Sequence, residues 1–223
     1  VKGLNIGIVS GNGQSLPFTI GVNDAERGAP MTIQLNGARE ITIIYETSPD
    51  ADALQWLTPG QTASGKPFLF SQGQSILTRT WAPTQDSPGI RQTYDVRLVV
   101  PQDLVAVMSA EMLTPNGEPA EGGHAFRFRM RHPVPIYLMS IGVGDLVFGA
   151  VGPRTGVWTE PSVLERGLYE CADMEAMVRT AEALYGPYRW GRYDVLILPP
   201  SFPFGGMENP RLTFLTPTFL AGD

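Results

Sequence analysis

The stretch Thr93-Tyr-Asp-Val-Arg-Leu-Val-Val100 alternates apolar and polar residues along most of its length. Successive side chains of a β-strand point to opposite faces, so this period of two predicts a strand with one buried and one solvated face. The face expected to be buried holds Tyr94, Val96, Leu98 and Val100. Pro101 follows directly and ends the predicted strand, because proline has no N–H to give to a sheet.

Four further stretches before residue 150 show a similar pattern and are predicted to be strands. They are residues 32–36, 40–46, 106–113 and 125–131. Between the last two, Thr114-Pro-Asn-Gly-Glu-Pro119 has the proline, asparagine and glycine that are typical of a hairpin loop. The sequence therefore predicts that the chain begins with a β-rich domain.

After about residue 152 the pattern becomes that of a helix. Thr159-Glu-Pro161 offers a helix cap followed by a proline at an early helical position. Apolar residues then recur every three or four positions, and Gly186-Pro187 ends the pattern. These features predict a helix over residues 161–185.

Short buried strands are predicted after the helix, at residues 193–198 and 212–216, and prolines close both. The predicted fold class is mainly β with a smaller α+β part. We place the domain boundary after residue 152, which gives a β domain over residues 1–152 and a second domain over residues 153–223.

The composition argues against a general attraction to nucleic acid or anionic lipid. The 223 residues include 16 Lys and Arg against 22 Asp and Glu, for a net charge of −6. In Phe126-Arg-Phe-Arg-Met-Arg131 the strand period places the three arginines together on one face. We interpret that face as solvated, and we expect no nucleic-acid partner.

The sequence contains few of the histidine and cysteine residues that zinc sites use. Cys171 is the only cysteine, which excludes a disulfide within the chain and a multi-cysteine zinc site. His124 and His132 are the only histidines, and the sequence contains no H-E-x-x-H pair. We interpret Cys171 as a small apolar residue of helix packing. The sequence also lacks a run of about 18 apolar residues, so we predict no membrane-spanning helix and expect no membrane partner.

The strongest candidate for a binding site is Phe202-Pro-Phe-Gly-Gly-Met-Glu-Asn-Pro210. Its two glycines let another backbone approach without a Cβ in the way, and Pro203 and Pro210 keep its ends out of a continuing sheet. Such an edge can pair with an extended ligand by strand addition, with Glu208 placed to meet a positive charge. A glycine-containing turn with an exposed glutamate is the alternative that these residues leave open.

Two other stretches carry polar groups beside glycine. In Phe70-Ser-Gln-Gly-Gln-Ser75 the amides that flank Gly73 can both donate and accept, although an ordinary loop explains them as well. Ile141-Gly-Val-Gly-Asp-Leu-Val-Phe148 lacks the third glycine of a dinucleotide-binding motif. We interpret it as a strand with a tight packing point, followed by Asp145.

The stretch from Leu198 to Pro210, with Leu212-Thr-Phe and Thr216-Pro-Thr-Phe-Leu-Ala-Gly-Asp223 after it, closely resembles zinc-dependent aminopeptidases of the gluzincin class. The nearest branch is that of leukotriene A4 hydrolase and aminopeptidase B. Other stretches similar to this branch are Ala53-Leu-Gln-Trp-Leu-Thr-Pro59, Leu69-Phe-Ser-Gln-Gly-Gln74, Gly152-Pro-Arg-Thr155 and Gly186-Pro-Tyr-Arg-Trp190. The resemblance covers the chain from about residue 30 onward.

The exopeptidase motif implied by this resemblance consists of Gly205, Gly206, Met207, Glu208 and Asn209. Glu208 would bind the free α-ammonium of a peptide, and the two glycines would supply backbone hydrogen bonds to the same peptide. Phe204 would line the first side-chain pocket, and Gln74 with Ser75 would belong to the β-domain loop that reaches the active site. Family members commonly have alanine in place of Ser75, and this branch often has tyrosine in place of Phe204, so both departures alter the polarity of the pocket.

The resemblance also implies a saddle-like antiparallel β domain, here missing its first strands, and an incomplete thermolysin-like catalytic domain. The zinc ion of such an enzyme would activate water, and its ligands, the general base and the oxyanion-stabilising tyrosine are expected beyond Asp223. We therefore expect a fragment of a metallo-aminopeptidase that removes N-terminal amino acids from peptides. By itself the fragment is expected to be inactive and to bind no zinc.

Its expected partners are peptides with a free N-terminus, and its expected location is the cytoplasm. The helix over residues 161–185 is expected to expose an apolar stripe through which the fragment self-associates. The alternative from another functional class is a natural, non-catalytic β-rich module that binds peptides at its edge strand.

Overall fold

A computed structural model describes residues 1–222, which group into two units. The first unit comprises residues 1–55, 72–91 and 135–137, and the second comprises the rest of the described chain. Strand residues outnumber helix residues, at 39% against 15%, which confirms the predicted mainly β fold class. The domain boundary after residue 152 stays a prediction. Across residues 1–222, no helix is long and apolar enough to cross a bilayer.

The first unit contains five antiparallel strands. Their bounds are β1 Asn5–Gly11, β2 Gln14–Ser15, β3 Phe18–Ile20, β4 Met31–Ile33 and β5 Thr42–Glu46. One sheet has the order β2–β1–β5, and β3 pairs with β4 in a second sheet. Val9, Leu16 and Ala38 form a buried cluster of this unit.

The strand predicted at residues 32–36 is wrong in its second half, because β4 ends at Ile33. Asn36 and Gly37 have φ angles of 47° and 82°, in the left-handed region that these two residue types tolerate best. The Ala38 N–H then donates to the Leu35 carbonyl at 2.8 Å. The Asn-Gly turn therefore interrupts the alternation. The strand predicted at residues 40–46 is confirmed by β5.

Eight strands follow, and the chain passes from the first unit into the second within β6. The bounds are β6 Leu54–Leu57, β7 Phe68–Ser71, β8 Arg91–Val100, β9 Val105–Met108, β10 Glu111–Met112, β11 Glu118–Ala120, β12 Gly123–Pro135 and β13 Ile141–Gly144. One sheet has the order β10–β12–β11 with β8 also paired to β12, and another has the order β6–β7–β13–β9.

The long strands β8 and β12 confirm the alternation read from the sequence. Every second residue of β8 is exposed as far as Val99, and Phe126, Phe128 and Met130 of β12 are buried. The arginines between them pair with carboxylates: Arg127 with Glu118 at 2.9 Å, Arg129 with Asp95 at 2.5 Å and Arg131 with Glu111 at 3.7 Å. The arginine face is therefore neutralised within the fold, in agreement with its interpretation as a solvated face.

Two predictions around this sheet are wrong in detail. The strand predicted at residues 106–113 is split into β9 and β10, because Ser109 leaves the ladder and its hydroxyl donates to the Leu138 carbonyl at 2.6 Å. The loop predicted at residues 114–119 is shorter, since β11 begins at Glu118 and the turn into β12 lies at residues 121–122. Pro119 is accommodated because β11 is an edge strand.

The last part of the second unit is a five-stranded sheet with two helices. The bounds are β14 Val147–Ala150, β15 Thr155–Thr159, α1 Leu164–Glu170, α2 Met174–Tyr185, β16 Tyr193–Ile197, β17 Gly206–Met207 and β18 Leu212–Leu215. The strand order is β14–β15–β16–β18–β17, with β15, β16 and β18 parallel to one another. The strands predicted at residues 193–198 and 212–216 are confirmed. Short 3₁₀ turns lie at Pro59–Gln61, Thr78–Thr80, Ile136–Leu138, Pro161–Val163 and Pro217–Phe219.

The single helix predicted over residues 161–185 is wrong. A 3₁₀ turn at Pro161–Val163 leads into α1, and residues 171–173 separate α1 from α2. Aspartate favours a position before a helix over one inside it, and α2 begins directly after Asp173. The apolar period does not reveal this break, because Leu168 before it and Met174 after it pack in the same core cluster.

The cap predicted at Thr159-Glu-Pro161 is also different. Glu160 occupies the position before the 3₁₀ turn but does not cap it with its side chain. Its buried carboxylate instead accepts the backbone N–H groups of Ala63 and Ser64, at 3.0 and 2.8 Å. The side chain therefore anchors a distant loop of the same unit.

Helix α2 exposes the apolar stripe that was expected. Met177, Leu184 and Tyr185 are 65%, 71% and 87% exposed. Self-association through this stripe stays a prediction. The packing point predicted in β13 is confirmed, since a Cβ on Gly142 would lie 2.6 Å from Leu196 and one on Gly144 would lie 2.4 Å from Phe68.

Arg154 joins the β14–β15 connection to α2. Its guanidinium donates to both carboxylate oxygens of Glu182, at 2.8 and 2.5 Å, and to Glu175 at 3.0 Å. Glu182 also accepts the backbone N–H of Tyr188 at 2.8 Å. The Arg154 hydrogen bonds, with a smaller share from the Tyr188 N–H, lower the pKa of Glu182 from 4.5 to about 2.

We expect Glu182→Gln to destabilise the chain at neutral pH and to have a smaller effect in acid. The pKa of Glu182 is lowered by folding, so its ionised form stabilises the fold above pH 4.5, and this contribution is lost as the pH falls towards about 2. Urea unfolding of wild type and variant at about pH 7 and about pH 3 measures the difference. Glu121→Gln, at an exposed loop position, is the matched control. A destabilisation that is equal at both pH values would contradict the assignment.

Candidate functional site

The glycine-containing stretch forms the edge of a sheet. β17 pairs antiparallel with β18, with Gly206 opposite Leu215 and Met207 opposite Phe214, and among the described residues it is the last strand of its sheet. The Thr216 N–H donates to the Gly205 carbonyl at 3.3 Å. Hydrogen-bonded pairs alternate along an antiparallel ladder, so the backbone N–H and C=O of Gly206 face away from β18.

The two glycines have different surroundings. A Cβ on Gly206 would lie 2.9 Å from the Phe214 carbonyl oxygen, which is closer than real Cβ atoms approach backbone. A Cβ on Gly205 would meet no atom of the described residues within 4 Å. Gly206 is therefore required by the pairing of β17 with β18, whereas the space beside Gly205 is open.

The side chains after β17 divide between solvent and interior. Glu208 is exposed, and no other described residue gives its carboxylate a hydrogen bond or an ion pair. Met207 and Asn209 are buried, at 3% and 2% exposure. Neither polar atom of the Asn209 carboxamide has a hydrogen-bond partner within residues 1–222. Of the predicted motif, only Glu208 presents a charge to solvent.

Aromatic rings fix the chain that leads into β17. Phe202 is buried and packs against Phe70, Phe204 and Phe214, with ring centroids 5.3, 5.9 and 6.2 Å apart. Phe204 itself is 55% exposed, so it has free ring surface beside the glycines.

A cleft of about 380 Å³ adjoins the motif on the second unit. Its lining residues are Leu138, Tyr188, Trp190, Tyr193, Gly206, Met207, Glu208, Asn209, Pro210 and Thr213. The ring of Tyr188 lies 5.4 Å from that of Trp190 and 5.7 Å from that of Tyr193. Glu208 therefore lines a cleft whose wall includes three packed aromatic rings.

The turn after Glu208 is held by Tyr188 and Trp190, neither of which the sequence indicated as a site residue. The backbone N–H of Arg211 donates to the Tyr188 hydroxyl at 2.9 Å, and the Arg211 guanidinium donates to the Trp190 carbonyl. In the sequence, the stretch Gly186-Pro-Tyr-Arg-Trp190 indicates only the end of a helix and a resemblance to the family. Its loop composition gave no sign of a contact with a residue after Pro210.

Gln74 and Ser75 belong to the first unit and are exposed. The Gln74 N–H donates to the Gln72 side-chain oxygen at 3.0 Å. Gly73 is buried before them, and a Cβ there would lie 2.6 Å from the Tyr137 carbonyl. These contacts fix the backbone of the loop. The role of Gln74 and Ser75 in binding stays a prediction.

The described residues offer no donor set that fits a zinc ion. Within residues 1–222, no group of three or more His, Cys, Asp or Glu side chains could hold a metal. Cys171 packs beside the core cluster of the second unit, and burial, with a smaller contribution from Glu170, raises the pKa of its thiol. This position agrees with a packing role for Cys171.

Comparison with known proteins identifies the family. Residues 7–138 match the Peptidase M1 N-terminal domain, and residues 170–223 match the Peptidase family M1 domain. The chain is 46% identical over its whole length to leukotriene A-4 hydrolase of Xenopus laevis and covers 38% of that protein. It is 45% identical to aminopeptidase B of Mus musculus over 82% of this chain and 28% of the relative.

A solved structure agrees with these relatives. The structure of yeast LTA4 hydrolase in complex with bestatin matches all of this chain and 35% of its own, with a TM-score of 0.91 and 35% identity. The chain thus spans between 28% and 38% of the length of these known proteins. The resemblance read from the glycine-glycine-methionine-glutamate-asparagine motif is confirmed, and the chain belongs to peptidase family M1, in the branch of leukotriene A4 hydrolase and aminopeptidase B.

Proposed function

We propose that residues 204–209 bind the N-terminal end of an extended peptide, as the exopeptidase motif of an aminopeptidase. The observation that carries this proposal is Glu208, an exposed carboxylate without a partner among the described residues, directly after an edge strand. The free N–H and C=O of Gly206 would pair with the peptide backbone. Phe204 would contact the first side chain.

The charge of a peptide N-terminus suits this role. An α-amino group has a pKa of about 7.7–8.0 and is largely cationic at neutral pH. A carboxylate about 4 Å away gains up to about 4 kcal/mol at an effective dielectric constant near 20, before desolvation is subtracted. Holding the ammonium also decides which peptide bond is presented for cleavage. An enzyme built on this contact would remove one residue at a time.

The proposal includes aminopeptidase activity of the whole protein. It is supported by two relatives, which are named aminopeptidase B and leukotriene A-4 hydrolase. Zinc would supply a polarising cation and activated water in such an enzyme. Residues 1–222 contain no cluster of three or more ligating side chains for it, so no role here is assigned to a metal. We propose that the 223-residue chain by itself hydrolyses no peptide, and its binding of peptides is the property to measure.

Gln74 and Ser75 are proposed to contact the same peptide from the β-domain loop, and the cytoplasm is the proposed location. The alternative of a non-catalytic module would use the same edge strand to bind peptides. Membership of a peptidase family favours the aminopeptidase.

We expect Glu208→Gln to remove the preference for a free N-terminus. The probes are trialanine amide and its N-acetylated form. The measured quantity is the dissociation constant of the acetylated peptide divided by that of the free peptide, both from calorimetry. The wild-type chain should bind the free peptide more tightly, and the variant should lower the ratio about tenfold, since a neutral amide does not attract an ammonium. Glu121→Gln is the control, because it changes the net charge by the same amount in the turn between β11 and β12. A ratio unchanged in Glu208→Gln would remove Glu208 from the proposed function.

We expect Gly206→Ala and Gly205→Ala to differ in stability. The alanine Cβ at position 206 would meet the Phe214 carbonyl at 2.9 Å, so we expect a loss of about 1–3 kcal/mol, the usual cost of overpacking. The space beside position 205 is open. Gly205→Ala should therefore change the free energy of unfolding by less than about 0.5 kcal/mol, apart from the difference in backbone preference between glycine and alanine. Urea unfolding of both variants measures this difference. Equal losses would show that β17 is not held as described.

A further inference from the structure

We propose that Tyr188 is a positioning residue for Glu208: its hydroxyl holds the turn that carries the carboxylate. This inference rests on the proposed function of Glu208 as the ammonium-binding group. Tyr188 would not touch the peptide ammonium itself and would act through the backbone of the turn between β17 and β18.

The turn is closed by a residue in an uncommon conformation. Arg211 lies between β17 and β18 and has a φ angle of 69°, in the left-handed region that costs a residue with a Cβ about 1–2 kcal/mol. Such a conformation persists only where surrounding contacts determine it. The contact that Tyr188 makes is to this residue, since its hydroxyl accepts the Arg211 N–H at 2.9 Å.

Tyr188 is itself held in place at both ends. Its backbone N–H donates to Glu182 at 2.8 Å, and Glu182 is fixed by Arg154. Its ring packs edge-on against Tyr193, with centroids 5.7 Å apart, and burial raises the pKa of its hydroxyl. The hydroxyl is therefore a fixed acceptor and not a mobile one.

A backbone contact matters here because the Glu208 carboxylate has no hydrogen bond or ion pair of its own within residues 1–222. The position of its carboxylate is set by the backbone from β17 through Pro210 to Arg211. Tyr188 and Glu208 line the same cleft, so the anchor and the charge it positions are close together. Without the hydroxyl, the turn would sample more conformations, and the carboxylate would meet an ammonium less often in the binding geometry.

Tyr188→Phe tests this inference because it removes the hydroxyl and keeps the ring. The same two probes, trialanine amide and its N-acetylated form, are used with the full 223-residue chain. We expect the ratio of their dissociation constants to fall about 3- to 10-fold, the range for loss of one hydrogen bond. Tyr185→Phe is the control, since Tyr185 is 87% exposed on α2. Amide hydrogen exchange of Arg211 should accelerate in Tyr188→Phe alone.

The outcomes separate this inference from the proposed function. If Tyr188→Phe has the same ratio as the wild type, the inference about Tyr188 is wrong, while the proposed function of Glu208 is unaffected. Equal weakening of both peptides would show a general structural role and also overturns it, as would unchanged exchange of the Arg211 amide. A wild-type chain that binds both peptides equally well overturns the proposed function and this inference together.

Discussion

Within residues 1–222, β17 pairs with a neighbouring strand on one side only, and the proposed site depends on this free edge. Its partner β18 is fixed by parallel pairing with β16, which in turn pairs with β15. Because Gly206 has no Cβ to meet the Phe214 carbonyl, β17 can pair with β18, and the ladder directs the polar backbone groups of Gly206 to the other side. Glu208 follows at once. β17 and the residue after it thus present backbone hydrogen-bonding groups followed by a negative charge, the arrangement on which the proposed binding of a peptide N-terminus rests.

Contacts from separate parts of the sequence brace this edge. Arg154, in the connection that precedes β15, holds Glu182 of α2, and Glu182 holds the backbone of Tyr188. Tyr188 then reaches Arg211 in the turn after Glu208. The stretches Gly152–Thr155, Gly186–Trp190 and Leu198–Pro210 had each resembled the family by themselves. A series of hydrogen bonds runs from Arg154 in the first stretch through Glu182 to Tyr188 in the second, and from Tyr188 to Arg211, which directly follows the third.

The sequence predicted what depends on local pattern and missed what depends on distant contacts. Alternation identified β8 and β12, and the motif located the edge strand and Glu208. The period of three to four residues continued through the break at residues 171–173, because the residues on both sides of it face the same core. Tyr188 was missed because its partner lies 23 positions further along the chain, and no local pattern indicates such a contact. Gln74 and Ser75 came from the resemblance alone, and their role stays a prediction.

Peptide binding at β17 is tested most directly by observing the edge strand itself while a peptide is added. Backbone NMR signals of the ¹⁵N-labelled chain can be followed while trialanine amide is added, and again with the N-acetylated peptide. We expect the signals of residues 206–209 to shift in a saturable way with the free peptide and far less with the acetylated one. Signals at β17 that stay unmoved, or that respond equally to both peptides, would contradict the claim that this edge and Glu208 recognise a peptide N-terminus.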